Sequence, residues 1–218
     1  MTRFLLYFFV NAAALCGCIH SAPVPDEVKS SAPGFGSSKS RPDGQALVFP
    51  AGVNIQGKPQ WDENCSKQPG HRILGSGPVR FCIQFSNTTH APVLVTIPAG
   101  TAFISAYTDS PNVLIVKEIK TSIPAESMQT IQVMAYSVNE DRKSASKTFE
   151  TSPVWTSHDG FSELLGLLAE KKINAEDYAG EIPPGEITQL VQVSVYEIAH
   201  TGNLSAKSHE KLLELPGR

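Results

Sequence analysis

Four short strings, VFPAG at 48–52, TIPAG at 96–100, SIPAE at 122–126 and EIPPG at 181–185, each set an apolar residue before proline and small or turn-forming residues after it. Proline fixes φ and removes a backbone donor, so a regular element running into it has to stop there. In residues 97–100 the proline holds the second turn position and Gly100 the fourth, an arrangement suited to a type I turn. A chain interrupted in this way is confined to short strands joined by tight turns, and its 16 Gly and 16 Pro point the same way. The segments flanking the four strings do not match at a fixed period, so they are turn signals and not a structural repeat.

Between the turns, strands are predicted over 46–49, 79–87, 92–97, 101–107, 113–119 and 128–138. The clearest is VRFCIQFSN, in which Val79, Phe81, Ile83 and Phe85 alternate with their neighbours, and SNTTH at 86–90 supplies the turn after it. Six short strands with turns at this spacing predict an antiparallel, immunoglobulin-like β-sandwich over 46–140. No Cys–Trp–Cys spacing marks a true immunoglobulin domain. This strand-turn-strand part is similar to uncharacterised secreted bacterial modules in which an Ile-Pro-Ala-Gly-Thr turn links two sandwich strands.

The last third changes character. DGFSELLGLLAEKK puts Phe161, Leu164, Leu165 and Leu168 on one helical face, with Asp159 as N-cap and Lys171 and Lys172 in the last turn. GEITQLVQVSVYEIAHTG carries both a helical stripe (Ile187, Leu190, Val191, Val195, Ile198) and a strand alternation (Val191, Val193, Val195). Its length, with Pro184 before and Gly202 after, favours a helix. A third helix is expected from Ser205 to Leu215, stopped by Pro216. The fold class expected is therefore α+β, with a helical C-terminal lobe at 141–218 packed on the sandwich.

With 218 residues, 41% apolar and 18% charged, the chain has globular composition for one domain with flanking segments. A formal charge of −3 without a long basic cluster leaves no electrostatic footprint for nucleic acid.

The N-terminus follows a different logic. Arg3 precedes the apolar run Phe4–Val10, then Asn11 and the small residues Ala12–Ala14. The run falls well short of the roughly 20 residues of a membrane-spanning helix and has the layout of a secretory signal peptide. A small-x-small cut after Ala22 would put Pro23 just beyond the scissile bond. Leu15-Cys16-Gly17-Cys18 resembles the lipobox of bacterial lipoproteins, with Cys16 where Ala, Ser or Thr is usual. The resemblance implies loss of residues 1–17, a diacylglyceryl thioether on Cys18 and acylation of its new amino group. At about 0.8 kcal/mol per buried CH₂, two or three chains anchor a protein stably without a transmembrane helix. Ile19 rather than Asp after the cysteine implies sorting to the outer membrane. Residues 18–45, the lipidated cysteine and a Ser/Pro/Gly-rich stretch, are expected to be a flexible tether, with the folded domain starting near Ala46.

If Cys16 leaves with the signal peptide and Cys18 is lipidated, Cys65 and Cys82 remain as an even pair in an oxidising compartment. A disulfide is the expectation. Free thiols are the alternative, and a metal site would need two further ligands, whereas His71 alone lies between the cysteines.

No catalytic motif stands out. HEKLL at 209–213 lacks the second histidine of a zinc-protease helix, and the six histidines show no metal-ligand spacing. GFSEL at 160–164 has Leu164 where a nucleophile elbow needs glycine, so Ser162 reads as an early helix residue. The acidic pairs Asp26/Glu27, Glu140/Asp141 and Glu176/Asp177 read as solvated turn charges, and GSGP at 75–78 as an ordinary turn. Trp61 and Trp155, in loop-like segments close to prolines, are the candidates for partner contact. These readings converge on a lipid-anchored envelope protein with a non-catalytic binding or structural role, needing no cofactor or metal. Its partners would be the membrane and an envelope protein. The alternative is a periplasmic or secreted hydrolase whose site joins His158 and Asp159 to a distant serine.

Overall fold

The computed structural model describes residues 32–67, 72–142, 146–156 and 158–218. The expected signal peptide, Cys18, the first part of the expected tether and His71 lie outside the described residues.

The strands are β1 (Gly44–Ala46), β2 (Val53–Ile55), β3 (Ile73–Gly75), β4 (Val79–Asn87), β5 (Val93–Ile97), β6 (Thr101–Phe103), β7 (Val113–Ile115), β8 (Ile119–Ile123), β9 (Ser127–Ser137) and β10 (Val154–Thr156). The helices are α1 (Gly160–Ala169), α2 (Gly185–Thr201) and α3 (Ala206–Leu213). The class is α+β, and all the strand pairs but one are antiparallel. The larger sheet runs β1-β10-β6-β7-β9-β4-β2, while β5 and β8 form a separate ribbon. Long strand β9 serves two halves of this curled half-barrel. One edge pairs with β4 from Ser127 to Ala135, and the other takes β3 in parallel and then β7 at Tyr136 and Ser137. Single bridges from Cys82 to Gln60, Gln60 to Thr148 and Phe149 to Ser105 carry the pairing from β4 round to the end of β6.

Apolar burial follows from this layering. Phe81, Ile83 and Phe85 of β4 point inward, as the alternation predicts, and meet Val95, Ile97, Ile119 and Ile123 of the ribbon. β6 and β7 are buried on both faces: Phe103, Val113 and Ile115 face that inner core, whereas Ala102 and Leu114 face the helices. Such strands read as unbroken apolar runs because neither face meets water. On the helical side, Phe161, Leu164 and Leu168 of α1 and Val191, Val195 and Ile198 of α2 complete a second core with Tyr136 and Val138. The ambiguous segment 185–201 is thus a helix, since its 3.6-residue stripe is the one that finds an apolar surface. Among the described residues no helix is long and apolar enough to cross a membrane.

Several expectations change. Residues 32–45 belong to the fold and do not form a tether: Phe35 is buried between the rings of His158 and Phe161. The Asn139 side-chain amide donates to the carbonyls of Gly34 and Gly36 at 3.1 and 2.9 Å, which fixes this stretch against the end of β9. The region after 141 is not purely helical either, because Phe149 sits in the inner core and β10 lies between β1 and β6. The expected strand 113–119 breaks into β7 and β8, which join different sheets. Lys117 lies at the break. Asp159 adopts a helical conformation and makes no side-chain cap bond; instead Nδ1 of His158 accepts the Gly160 N–H at 3.1 Å. GSGP is a close backbone approach: a Cβ on Gly77 would stand 2.1 Å from the Ala135 carbonyl oxygen, and one on Gly75 2.7 Å from that of Met134.

Candidate functional site

The turn at 98–100 that ends β5 also shapes a surface. Trp155 of β10 is 47% exposed, and its indole N–H donates to the Ala99 carbonyl at 2.9 Å. Gly100, at φ +86°, leaves the room this needs, since a Cβ there would lie 3.2 Å from both Trp155 Nε1 and Leu165 Cδ1. A half-exposed indole is therefore held in one orientation. Beside it, Ala99 and Leu165 form one wall of a cleft of about 570 Å³. Val116 and Ala169 add to its apolar lining, and the polar side chains around it include Arg72, Lys117, Lys120, Asn174, Glu176 and Arg218.

Two of these lining cations, Lys117 and Arg218, are held by Asp177. Its carboxylate accepts from Lys117 Nζ at 2.9 Å, from Arg218 Nε at 2.9 Å and from the N–H groups of Ile173 and Asn174, both at 3.0 Å. The side chains of Lys117 and Asp177 are only 4% and 7% exposed. Lys117 also donates to the Lys171 carbonyl. Burial opposes the Asp177 charge, but the hydrogen bonds from Lys117 and Asn174 and the charges of Lys117 and Arg218 outweigh it, holding the carboxyl below its ordinary range. The expectation of a solvated acidic pair at 176–177 therefore fails at Asp177. Glu176 next to it accepts the Gly75 N–H at 2.9 Å, and desolvation raises its carboxyl despite that bond. Arg72 and Glu176 also line a neighbouring cavity of about 430 Å³. Lys117 and Arg218 thus already face protein acceptors, which fixes the shape of this part of the cleft.

Trp61, the other candidate for partner contact, stands elsewhere. It is 40% exposed, and Lys147 lies over its ring at 5.5 Å from the centroid. It follows the Gln60 bridges and precedes the Cys65–Cys82 disulfide, which closes a loop with a sequence separation of 17. The two tryptophans thus serve different surfaces.

The residues of the hydrolase alternative have other duties. The His158 ring packs against Phe35 and Phe161, its Nδ1 accepts a helix N–H, and burial lowers its pKa. Ser162 is exposed on α1, bonded through its backbone to the Asp159 carbonyl. Among the described residues, no group of three or more His, Cys, Asp or Glu is gathered as metal ligands would be.

Trp155 was legible from its sequence context, but Arg72, Lys117, Asp177 and Arg218 were not. One signal was present: Lys117 interrupts NVLIVKEI, and a charge inside a buried run demands a partner. The partner, 60 residues away, is not deducible from local pattern. No protein-family model, curated protein or solved structure matches the chain.

Proposed function

We propose that this chain is a lipid-anchored cell-envelope protein with a non-catalytic binding role, held at the outer membrane through Cys18. It presents the Trp155 face and its cleft to an envelope protein partner. The observation that carries the binding role is the fixed, half-exposed indole of Trp155 beside a cleft of mixed polarity. An aromatic side chain locked before contact loses little conformational entropy on binding, which favours it as an anchor. The Cys65–Cys82 disulfide suits an oxidising compartment. In this reading the residues after Cys18 link the lipid anchor to the folded domain. The β5–β8 ribbon over the larger sheet is, in this reading, the reduced second layer of an immunoglobulin-like β-sandwich.

Two variants of the full chain test the proposal. Cys18→Ser should move the protein from the membrane to the soluble fraction and remove the acyl mass; unchanged fractionation refutes the anchor. Affinity purification of the anchored protein should recover a partner that Trp155→Ala loses while keeping a cooperative melt. Equal recovery by both proteins refutes the Trp155 face.

A further inference from the structure

Residues 32–43 form no helix or strand, yet Phe35 among them is 1% exposed. Its ring is seated on His158 at 5.1 Å between centroids and on Phe161 at 5.3 Å, and those two rings stand 4.9 Å apart. The stretch is a strap laid over the start of α1. The Gly36 N–H donates to the Val138 carbonyl at 2.9 Å, the Asn112 and Asn139 amides donate to the Gly34 carbonyl, and Arg142 donates to that of Ser38. Water can replace each of these bonds when the strap lifts, whereas nothing in water replaces the seat of Phe35.

That seat depends on a histidine in one protonation state. His158 Nδ1 accepts the Gly160 N–H at 3.1 Å, so it carries no proton, and the ring satisfies a donor at the start of α1. A proton on Nδ1 sets donor against donor and puts positive charge at the positive end of a helix, so the ring has to turn out of the contact. The start of α1 has little room to follow: a Cβ at Gly160 would lie 2.2 Å from the Gly202 carbonyl oxygen, and Phe161 is buried in the helical core. Phe35, on a strap without ladder bonds, is the neighbour that yields.

The surrounding charges do not cancel this. Burial lowers the His158 pKa, although a backbone hydrogen bond and the charge of Asp159 pull the other way. Residues 32–38 carry no charged side chain, and Arg41 beyond them is paired with Glu150. Glu163 of α1 lies 3.5 Å from His209 of α3, and Glu140, just after β9, lies 3.6 Å from His200 of α2. Positive charge on His200 or His209 is therefore matched by a carboxylate, which ties the helices together while the strap loosens.

We infer that residues 32–38 are a pH latch: neutral His158 holds Phe35 and the strap against α1, and protonated His158 lets them go. The latch is closed above about pH 6.5, the ordinary histidine value, and opens as pH falls through the lower value of the buried ring. In a protein anchored as proposed above, opening adds the strap to the link between lipid and domain. The latch itself does not depend on the anchor.

The test is amide exchange by mass spectrometry on the full chain in detergent at pH 7 and pH 5, with times scaled to the intrinsic rates. Peptides covering 33–38 should lose about fivefold in protection at pH 5, and peptides covering β4 should not change. His158→Asn keeps an acceptor for Gly160 without titrating, so its strap should be equally protected at both pH values. Phe35→Ala should leave the strap open at both, and melting curves confirm that each variant folds. Cys18→Ser should behave as the parent, which separates this reading from the anchor. A parent strap equally protected at pH 7 and pH 5 overturns the inference without recourse to any variant. So does a loss shared equally by β4, an H158N strap that still opens in acid, or an F35A strap as protected as the parent's.

Discussion

The two tryptophans mark ends of the molecule that are held together by different means. Around Trp61 the sheet is joined by single bridges at Gln60, Thr148 and Phe149. Backbone bonds there run between isolated residue pairs, such as the Trp61 N–H to the Lys147 carbonyl and the Phe149 N–H to that of Pro59, and the Cys65–Cys82 disulfide and the packed rings of Phe81, Phe103 and Phe149 add to them. Around Trp155 the strands pair on both sides, helices cover the sheet, and no cross-link is present among the described residues. There the Lys117–Asp177–Arg218 network fixes how the chain after α1 returns to the corner between β7 and β8. An irregularly paired edge carries a covalent cross-link, whereas a helix-covered one can tolerate buried charge because its partners are fully supplied.

The sharpest way to break this contrast is Asp177→Ala. It strands Lys117 without its carboxylate in a buried site and should cost about 3–5 kcal/mol in denaturant unfolding. In the parent protein the Asp177 contribution carries a definite sign with pH. Its folded pKa is depressed, so its stabilisation is full above the unfolded value of about 4 and is lost as pH falls through the folded one. Asp177→Asn should flatten that acid limb in melts taken from pH 6 down to pH 2.

Next in size is the opposite end. Replacing Cys65 and Cys82 together by Ala should cost about 3 kcal/mol, with faster amide exchange concentrated at residues 60–67 and little change near α1. Exchange rising equally at both ends would mean that the ends are not separately secured.

His158 gives a smaller, pH-dependent effect on the helical side. Burial depresses its pKa, so its neutral ring favours the fold above about pH 6.5, and this contribution fades as pH falls through the folded value. His158→Asn retains a cap acceptor for Gly160 while removing the titration, and should make stability less dependent on pH between 7 and 5.

The smallest effects separate the tryptophans themselves. Trp155→Ala removes an indole hydrogen bond and packing on Gly100 and should cost about 1–2 kcal/mol. Trp61→Ala, losing an exposed cation–π contact, should cost less than about 1 kcal/mol. Reversal of that order would show that Trp61 supports the bridged edge.

Much of this architecture was written in local pattern. β4, β5 and all three helices lie where alternation, proline turns and helical stripes place them. The short strands β2, β3 and β10 escaped because three residues are too few to show a period. Phe35 escaped for another reason: one aromatic in a Ser/Pro/Gly stretch looks solvated until His158 and Phe161 are seen around it.

By itself, the sequence determined the α+β class, the turn positions, the apolar faces of α1 and β4, and the cysteine pair, because each depends on residues near one another in the chain. Tertiary structure alone decided that β9 spans both halves of the half-barrel and that Lys117 meets Asp177. It also decided that Trp155 stands beside a cleft whose walls come from five separate segments. Those outcomes depend on long-range pairing and on the desolvation of particular charges, and neither leaves a periodic trace in the chain.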